Sequence, residues 1–282
     1  MADWATSGRI KVERAEKHIR DLETEVLAFK QRCPYTSFVH DDPQTGEWVF
    51  RAAIPELPPL RFGAIAGDAI HNLRSSLDIL WRILMPGGRH YFPMFPSPQK
   101  FERRFGGGKE HGSIKRIVDI LKEIKPYKGG NDLLWALHSL DAEDKHHILL
   151  PVGSAVLSKT EDLLAPFRQS YLRRTGFPYS GSLFTSHFAK PIYPVNDGTE
   201  LGRIPINPHG HQMDMNPKFS FDIALGEGET VKGQPIIAVL DQFARMVERI
   251  LYLFGATGLL PGWSAGPSHG TPRPTGSHPS AT

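Results

Sequence analysis

The stretch Gly67-Asp68-Ala69-Ile70-His71-Asn72-Leu73-Arg74-Ser75-Ser76-Leu77-Asp78-Ile79-Leu80-Trp81 decides how the chain is read. Its apolar positions, from Ala66 through Ile70, Leu73, Leu77 and Leu80 to Leu84, alternate steps of four and three. That spacing lays one stripe along a helix, and Pro86-Gly87-Gly88 ends it. Beside the stripe stand His71, Arg74 and Asp78. At about 100° per residue they fall within about 60° of one another, so three ionisable side chains converge on the flank of a face built for burial. A surface Arg74–Asp78 pair at i,i+4 accounts for two of them and leaves His71 without a role.

Working outward, a second stretch matches the first. Asn131 or Asp132 supplies a helix start, and Leu133, Leu137 and Leu140 carry a stripe whose next position is Asp144. Asp141 lies beside it and Lys145 further round. A buried carboxylate without a partner costs several kcal/mol, so Asp144 is expected to meet His71 or Arg74 across the helix pair. The simpler alternative has Asp144 capping a new turn at Lys145. His146 and His147 point about 100° apart, so only one of them can join. The candidate site is therefore His71, Arg74, Asp78, Asp144, Lys145 and His146.

Around these two stretches the rest arranges itself. Val12, Ala15, Ile19, Leu22, Val26 and Phe29 mark an amphipathic helix over 9–30, whose basic residues crowd its first half, the wrong end for the helix dipole. Tyr35 to Ile54 has hairpin texture, with strands at Thr36–Val39 and Trp48–Ala52 and turn residues at Asp41–Gly46. Tyr91 to Pro96 reads as an irregular segment laid across the bundle, and Ser113–Ile124 as a short helix, so four helices are expected before residue 150. Short apolar runs then suggest strands at Pro151–Leu157, Ser182–Phe188 and Phe219–Leu225. A strong helix, Ile236–Phe254, closes the bundle. The expected class is α+β: a helical bundle of four to five helices with an N-terminal β-hairpin and a β-rich insertion before the last helix. One domain covers 1–262, with the bundle at 8–150 and 234–256 and the insertion at 151–230. A Gly, Pro, Ser and Thr-rich tail at 263–282 is expected to be disordered.

Length and composition bound the function. The chain has 282 residues, 40% hydrophobic and 22% charged, the balance of an ordinary soluble protein. No run reaches the roughly 18–20 apolar residues of a membrane span, and Met1-Ala2-Asp3-Trp4 has no signal-peptide pattern, so a cytoplasmic protein without a membrane partner is expected. The single cysteine, Cys33, excludes an internal disulfide and a cysteine-built metal site. A net charge of +3 does not mark a nucleic-acid binder, yet residues 100–128 carry nine basic against four acidic side chains. The stretch Phe167-Arg168-Gln169-Ser170-Tyr171-Leu172-Arg173-Arg174 interleaves aromatics with arginine. Both suit RNA contacts, and both also suit a solvated face. Gly106-Gly107-Gly108-Lys109 lacks the remaining elements of a P-loop, and no dinucleotide fingerprint occurs, so no cofactor is expected.

The residues His71–Asp78, Phe92–Pro96, Lys125-Pro126-Tyr127 and Leu134 to His146 together resemble a widespread group of uncharacterised bacterial hypothetical proteins. That resemblance covers roughly 8–157 and the last helix; it implies a helical fold and no particular activity. The group commonly carries Asp-Lys-His-Arg at the second motif, where this chain has His147 in place of the arginine. A looser similarity links the chain to the helical-bundle ribonucleases of the HEPN group, in which an arginine is followed by a histidine a few residues on. Here Arg74 has no such histidine, and His71 precedes it.

Three functional readings remain open. A metal-independent endoribonuclease would use a histidine as acid or base, Arg74 or Lys145 against charge on phosphorus and Asp144 to orient the histidine. A metal-dependent hydrolase would draw ligands from His71, Asp78, Asp144 and His146, or from His209, His211 and Asp214. In the third reading the cluster fixes helix register in a non-enzymatic bundle that binds RNA, a protein partner or a second copy of the chain.

Overall fold

The computed structural model describes residues 4–157 apart from 89 and 109, residues 169, 172 and 173, and residues 191–205 and 219–260. Among these residues the protein is α+β, with six helices and two three-stranded antiparallel sheets.

Helix α1 (Trp4–Arg32) buries Val12, Ala15, Ile19, Leu22, Val26 and Phe29, the stripe read from the sequence. It lies along α2 (Arg61–Leu84), the central element, which also contacts α5 (Asp132–Asp144) and the last helix, α6 (Ile236–Gly255). Helix α2 can touch so many neighbours because it is apolar on more than one side. Phe62, Ala66, Ile70, Leu73, Leu77 and Leu80 are fully buried, and Gly63 and Gly67 let other chain segments approach its backbone. Lys11, in the basic first half of α1, donates to Asn72 Oδ1 at 3.1 Å and so faces α2.

The structure adds one helix to the expected four before residue 150. Helix α3 (Pro98–Phe105) starts at Ser97, whose hydroxyl accepts the Lys100 amide, with Pro98 in its first turn. Only Phe101 and Phe105 are buried on it, packed on Phe95 and Tyr127. Two buried positions in eight residues are too few to show a helical period in sequence. Helix α4 (Gly112–Ile124) and α5 follow as read, α5 capped by Asn131 Oδ1 accepting the Leu134 amide at 3.0 Å.

The two sheets interlock. Strands β1 (Thr36–Asp42) and β2 (Glu47–Ala53) form the expected hairpin, and β3 (Pro151–Leu157) pairs with β6 (Phe219–Leu225) as well as with β4 (Ile192–Val195). Strand β5 (Glu200–Pro205) follows β4 by only four residues yet joins the other sheet, antiparallel to β2. Its crossing is held by Asp197 Oδ1 accepting the Ile54 amide at 3.0 Å and by Arg51 donating to the Gly198 carbonyl at 2.8 Å. Phe50, Ala52 and Leu201 from one sheet pack with Ala155 and Val195 from the other in a small second core. The hairpin and the later strands therefore pack against one another. The expected strand at 182–188 and the tail at 263–282 lie outside the described residues.

One residue sits against its local preference. Lys125, which caps α4, has φ 54° and ψ 61°, the left-handed region where a side chain costs about 1–2 kcal/mol. Lys125→Gly is expected to raise unfolding free energy by about 0.5–1 kcal/mol, the relief of strain less the added freedom of the unfolded chain, measured by urea denaturation.

Candidate functional site

The polar residues of α2 separate into two groups. Arg74, with a side chain 6% exposed, donates to Asp78 Oδ1 at 2.5 Å and to the Phe92 carbonyl at 3.0 Å, and Asp78 Oδ1 accepts the Phe92 amide at 2.8 Å. The i,i+4 pair, which the simpler alternative placed on the surface, is thus a largely buried clamp on the backbone of the segment after α2. Phe92 needs that hold because its ring is wedged edge-on to Trp81 and Phe254. Burial raises the Asp78 carboxyl above its ordinary range; the Arg74 guanidinium and the Phe92 amide pull it back only in part.

His71 belongs to the second group. Its Nδ1 lies 2.9 Å from Asp141 Oδ1, and the other oxygen of that carboxylate accepts Lys145 Nζ at 2.6 Å. Asp141 is 6% exposed, while His71 and Lys145 are each 54% exposed. The result is an imidazole fixed on its inner nitrogen by a buried carboxylate, with Nε2 turned outward toward Ser75 Oγ at 3.4 Å. Two helices are joined here: α2 gives the histidine, and α5 with its C-cap gives the carboxylate and the lysine.

Asp144 does not take the part expected of it. Its carboxyl rests on the bare backbone of Gly67, where an added Cβ would overlap it. Burial raises its pKa, and Asp68 and Asp141 raise it further, against smaller opposing effects of His71 and His147. The correction has a simple cause. The buried face of α5 runs through Leu134, Leu137, Leu140 and Asp141, whereas the stripe begun at Leu133 lies a step further round and ends on half-exposed Asp144. Asp141 and Leu134 are spaced by seven, and that period was available in the sequence.

His146 is exposed. His147 pairs with Glu227 at 3.1 Å, next to β6 and away from the network. His138 is the histidine that sequence reasoning missed. It lies one turn before Asp141, half-buried with its ring edge-on to Trp135. Burial lowers its pKa, and the Arg74 and Lys145 charges lower it further, while Asp141 acts the other way.

Comparison with known proteins finds no matching family model, no matching curated protein and no matching solved structure. The site must be judged on its own chemistry. Among the described residues no three His, Cys, Asp or Glu side chains gather as a metal site, so His71, Asp78, Asp144 and His146 do not form one. His209, His211 and Asp214 lie outside the described residues. So do most of 167–174 and Lys109; of that aromatic-basic stretch, Arg173 donates to Gln169 at 3.3 Å.

Two outcomes follow from this geometry. At Gly63 an added Cβ would overlap the Leu149 carbonyl, which is backbone; at Gly67 the obstacle is the end of a side chain. Gly63→Ala should cost about 3 kcal/mol. Gly67→Ala should be near neutral, since Asp144 can swing aside and alanine favours helix by about 1 kcal/mol; thermal melts of both proteins compare them. His138 titrates lower in the folded protein than in the unfolded chain, so its contribution is present above the ordinary imidazole value of 6.5 and is lost as pH falls from there through the lower folded value. Melting temperature of His138→Gln should therefore fall less than that of the parent between about pH 7 and pH 5.5.

Proposed function

We propose that the protein is a non-enzymatic helical-bundle binding protein whose polar network sets the register of α2 against α5 and against the Phe92 segment. The observation that carries this is Asp141: a carboxylate 6% exposed, with both oxygens engaged, one by each helix. The Oδ1 contact with His71 exists in one alignment of the helix pair and is lost by a shift of either helix, which leaves the buried carboxylate held only by Lys145 of its own helix, at a cost of about 1–3 kcal/mol. Charge supports the same reading. Asp68, Asp141 and Asp144 act together at this corner, so the surroundings of His71 repel a phosphodiester more than they attract it.

A second reading rests on the oriented imidazole. His71 has its inner nitrogen held by a buried carboxylate and its outer nitrogen half in solvent, the arrangement of a general acid or base, and it supports a metal-independent ribonuclease of the kind the HEPN similarity implies. One set of variants separates the two. Under the register reading, Arg74→Met loses about 3 kcal/mol, seen as a fall of roughly 6–12 °C in melting temperature. Asp141→Asn also melts lower, and neither parent nor His71→Ala cleaves single-stranded RNA in EDTA. RNA cleavage by the parent that His71→Ala abolishes without loss of melting temperature overturns the register reading in favour of the ribonuclease.

A further inference from the structure

The last helix carries more cation on one side than its neighbours neutralise. Residues Gln242, Arg245, Met246, Arg249, Ile250 and Leu253 follow steps of three, one, three, one and three, a stripe along α6. Ile250 is buried; Met246 and Leu253 pack only partly against the core. Their other side opens on a groove of about 490 Å³, closed by Ile124 at the end of α4 and Leu133 at the start of α5. Leu133, next to the buried Leu134, lines this groove.

The stripe runs from Gln242 to Leu253, eleven residue steps, so the groove runs about 16 Å along the helix axis. Its floor is aliphatic and its edge carries Arg245 and Arg249, both exposed and one helical turn apart. Among the described residues neither guanidinium has a carboxylate within ion-pair distance. The acid on the lining is Glu123, from α4, which leaves an excess of one positive charge. A volume of this size lies in the range of small-molecule sites, about 300–1,000 Å³. A docked helix, about 10 Å across, would far overfill it.

We propose that this groove binds a free amphiphilic organic anion: an unbranched aliphatic body along Ile124, Leu133, Met246, Ile250 and Leu253, with a carboxylate-type head between Arg245 and Arg249. Arginine is suited to that head because its planar fork pairs with a carboxylate through two parallel hydrogen bonds. The inference rests on the reading of the chain as a binding protein. It does not depend on the His71 network, which is tested by melting temperature, so failure of one is distinguishable from failure of the other.

The test is calorimetric titration of the full chain with dodecanoate below its micellar concentration, beside dodecanol as an uncharged match and beside vesicles of phosphatidylglycerol and phosphatidylcholine. One-site binding of dodecanoate is expected, with dodecanol about tenfold weaker. Arg245→Gln/Arg249→Gln should weaken dodecanoate about tenfold without changing the melting temperature, because both side chains are exposed. Met246→Glu should abolish binding of both. The proposal is overturned if dodecanoate fails to saturate, if dodecanol binds as well, or if the double glutamine variant binds like the parent. Binding to the vesicles alone, a membrane surface rather than a free amphiphile, overturns it too.

Discussion

A guanidinium placed inside a leucine-lined helix has to be satisfied on the spot, and much of this molecule is arranged to do so. Arg74 cannot reach water, so Asp78, one turn on, supplies charge, and the chain after α2 turns back to bring the Phe92 carbonyl to it. That return path fixes where Phe92 can lie. Its ring then becomes the wedge between the C-terminal ends of α2 and α6, so a polar requirement at one residue sets the packing of an apolar one eighteen positions away. The second polar knot, at Asp141, works in the same way between α2 and α5. Together they tie the central helix to the Phe92 segment on one side and to α5 on the other.

Much of the fold was legible because long amphipathic elements write their period plainly. The stripes of α1, α2 and α6, and the bounds of β3 and β6, stand where the sequence placed them. What escaped was short or non-local. Helix α3 shows two buried positions, and β4 and β5 each contain a proline, which demotes a short apolar run as a strand. That β5 pairs with β2 depends on a crossing held by Asp197 and Arg51, a contact between residues more than a hundred positions apart that no local pattern encodes.

The site was read with the right helices and two residues that the networks do not include, Asp144 and the exposed His146. His71, Arg74, Asp78 and Lys145 all belong to the networks, but the carboxylate between the helices is Asp141 and not Asp144. The error traces to the choice of Leu133 over Leu134 as the start of the α5 stripe. Both begin plausible periods, and the decision lies in tertiary packing: Leu134 is fully buried, whereas Leu133 lines an open groove. His138 was passed over because a histidine beside a tryptophan on a helix flank carries no motif. Its significance comes from burial and from the Arg74 charge on α2, both of which only folding supplies.

The joining of β5 to β2 also bears on how the chain is made. Strand β2 emerges from the ribosome with a partner on one side only, and its other edge stays open until residues 200–205 have been synthesised. At about 5–20 residues per second, that is an interval on the order of ten seconds. Through it an edge carrying Val49 and Phe50, both buried in the finished protein, remains free to pair elsewhere. Helix α6 arrives later still, so the N-terminal half waits, incomplete, for the C-terminal half to close both its sheet and its bundle.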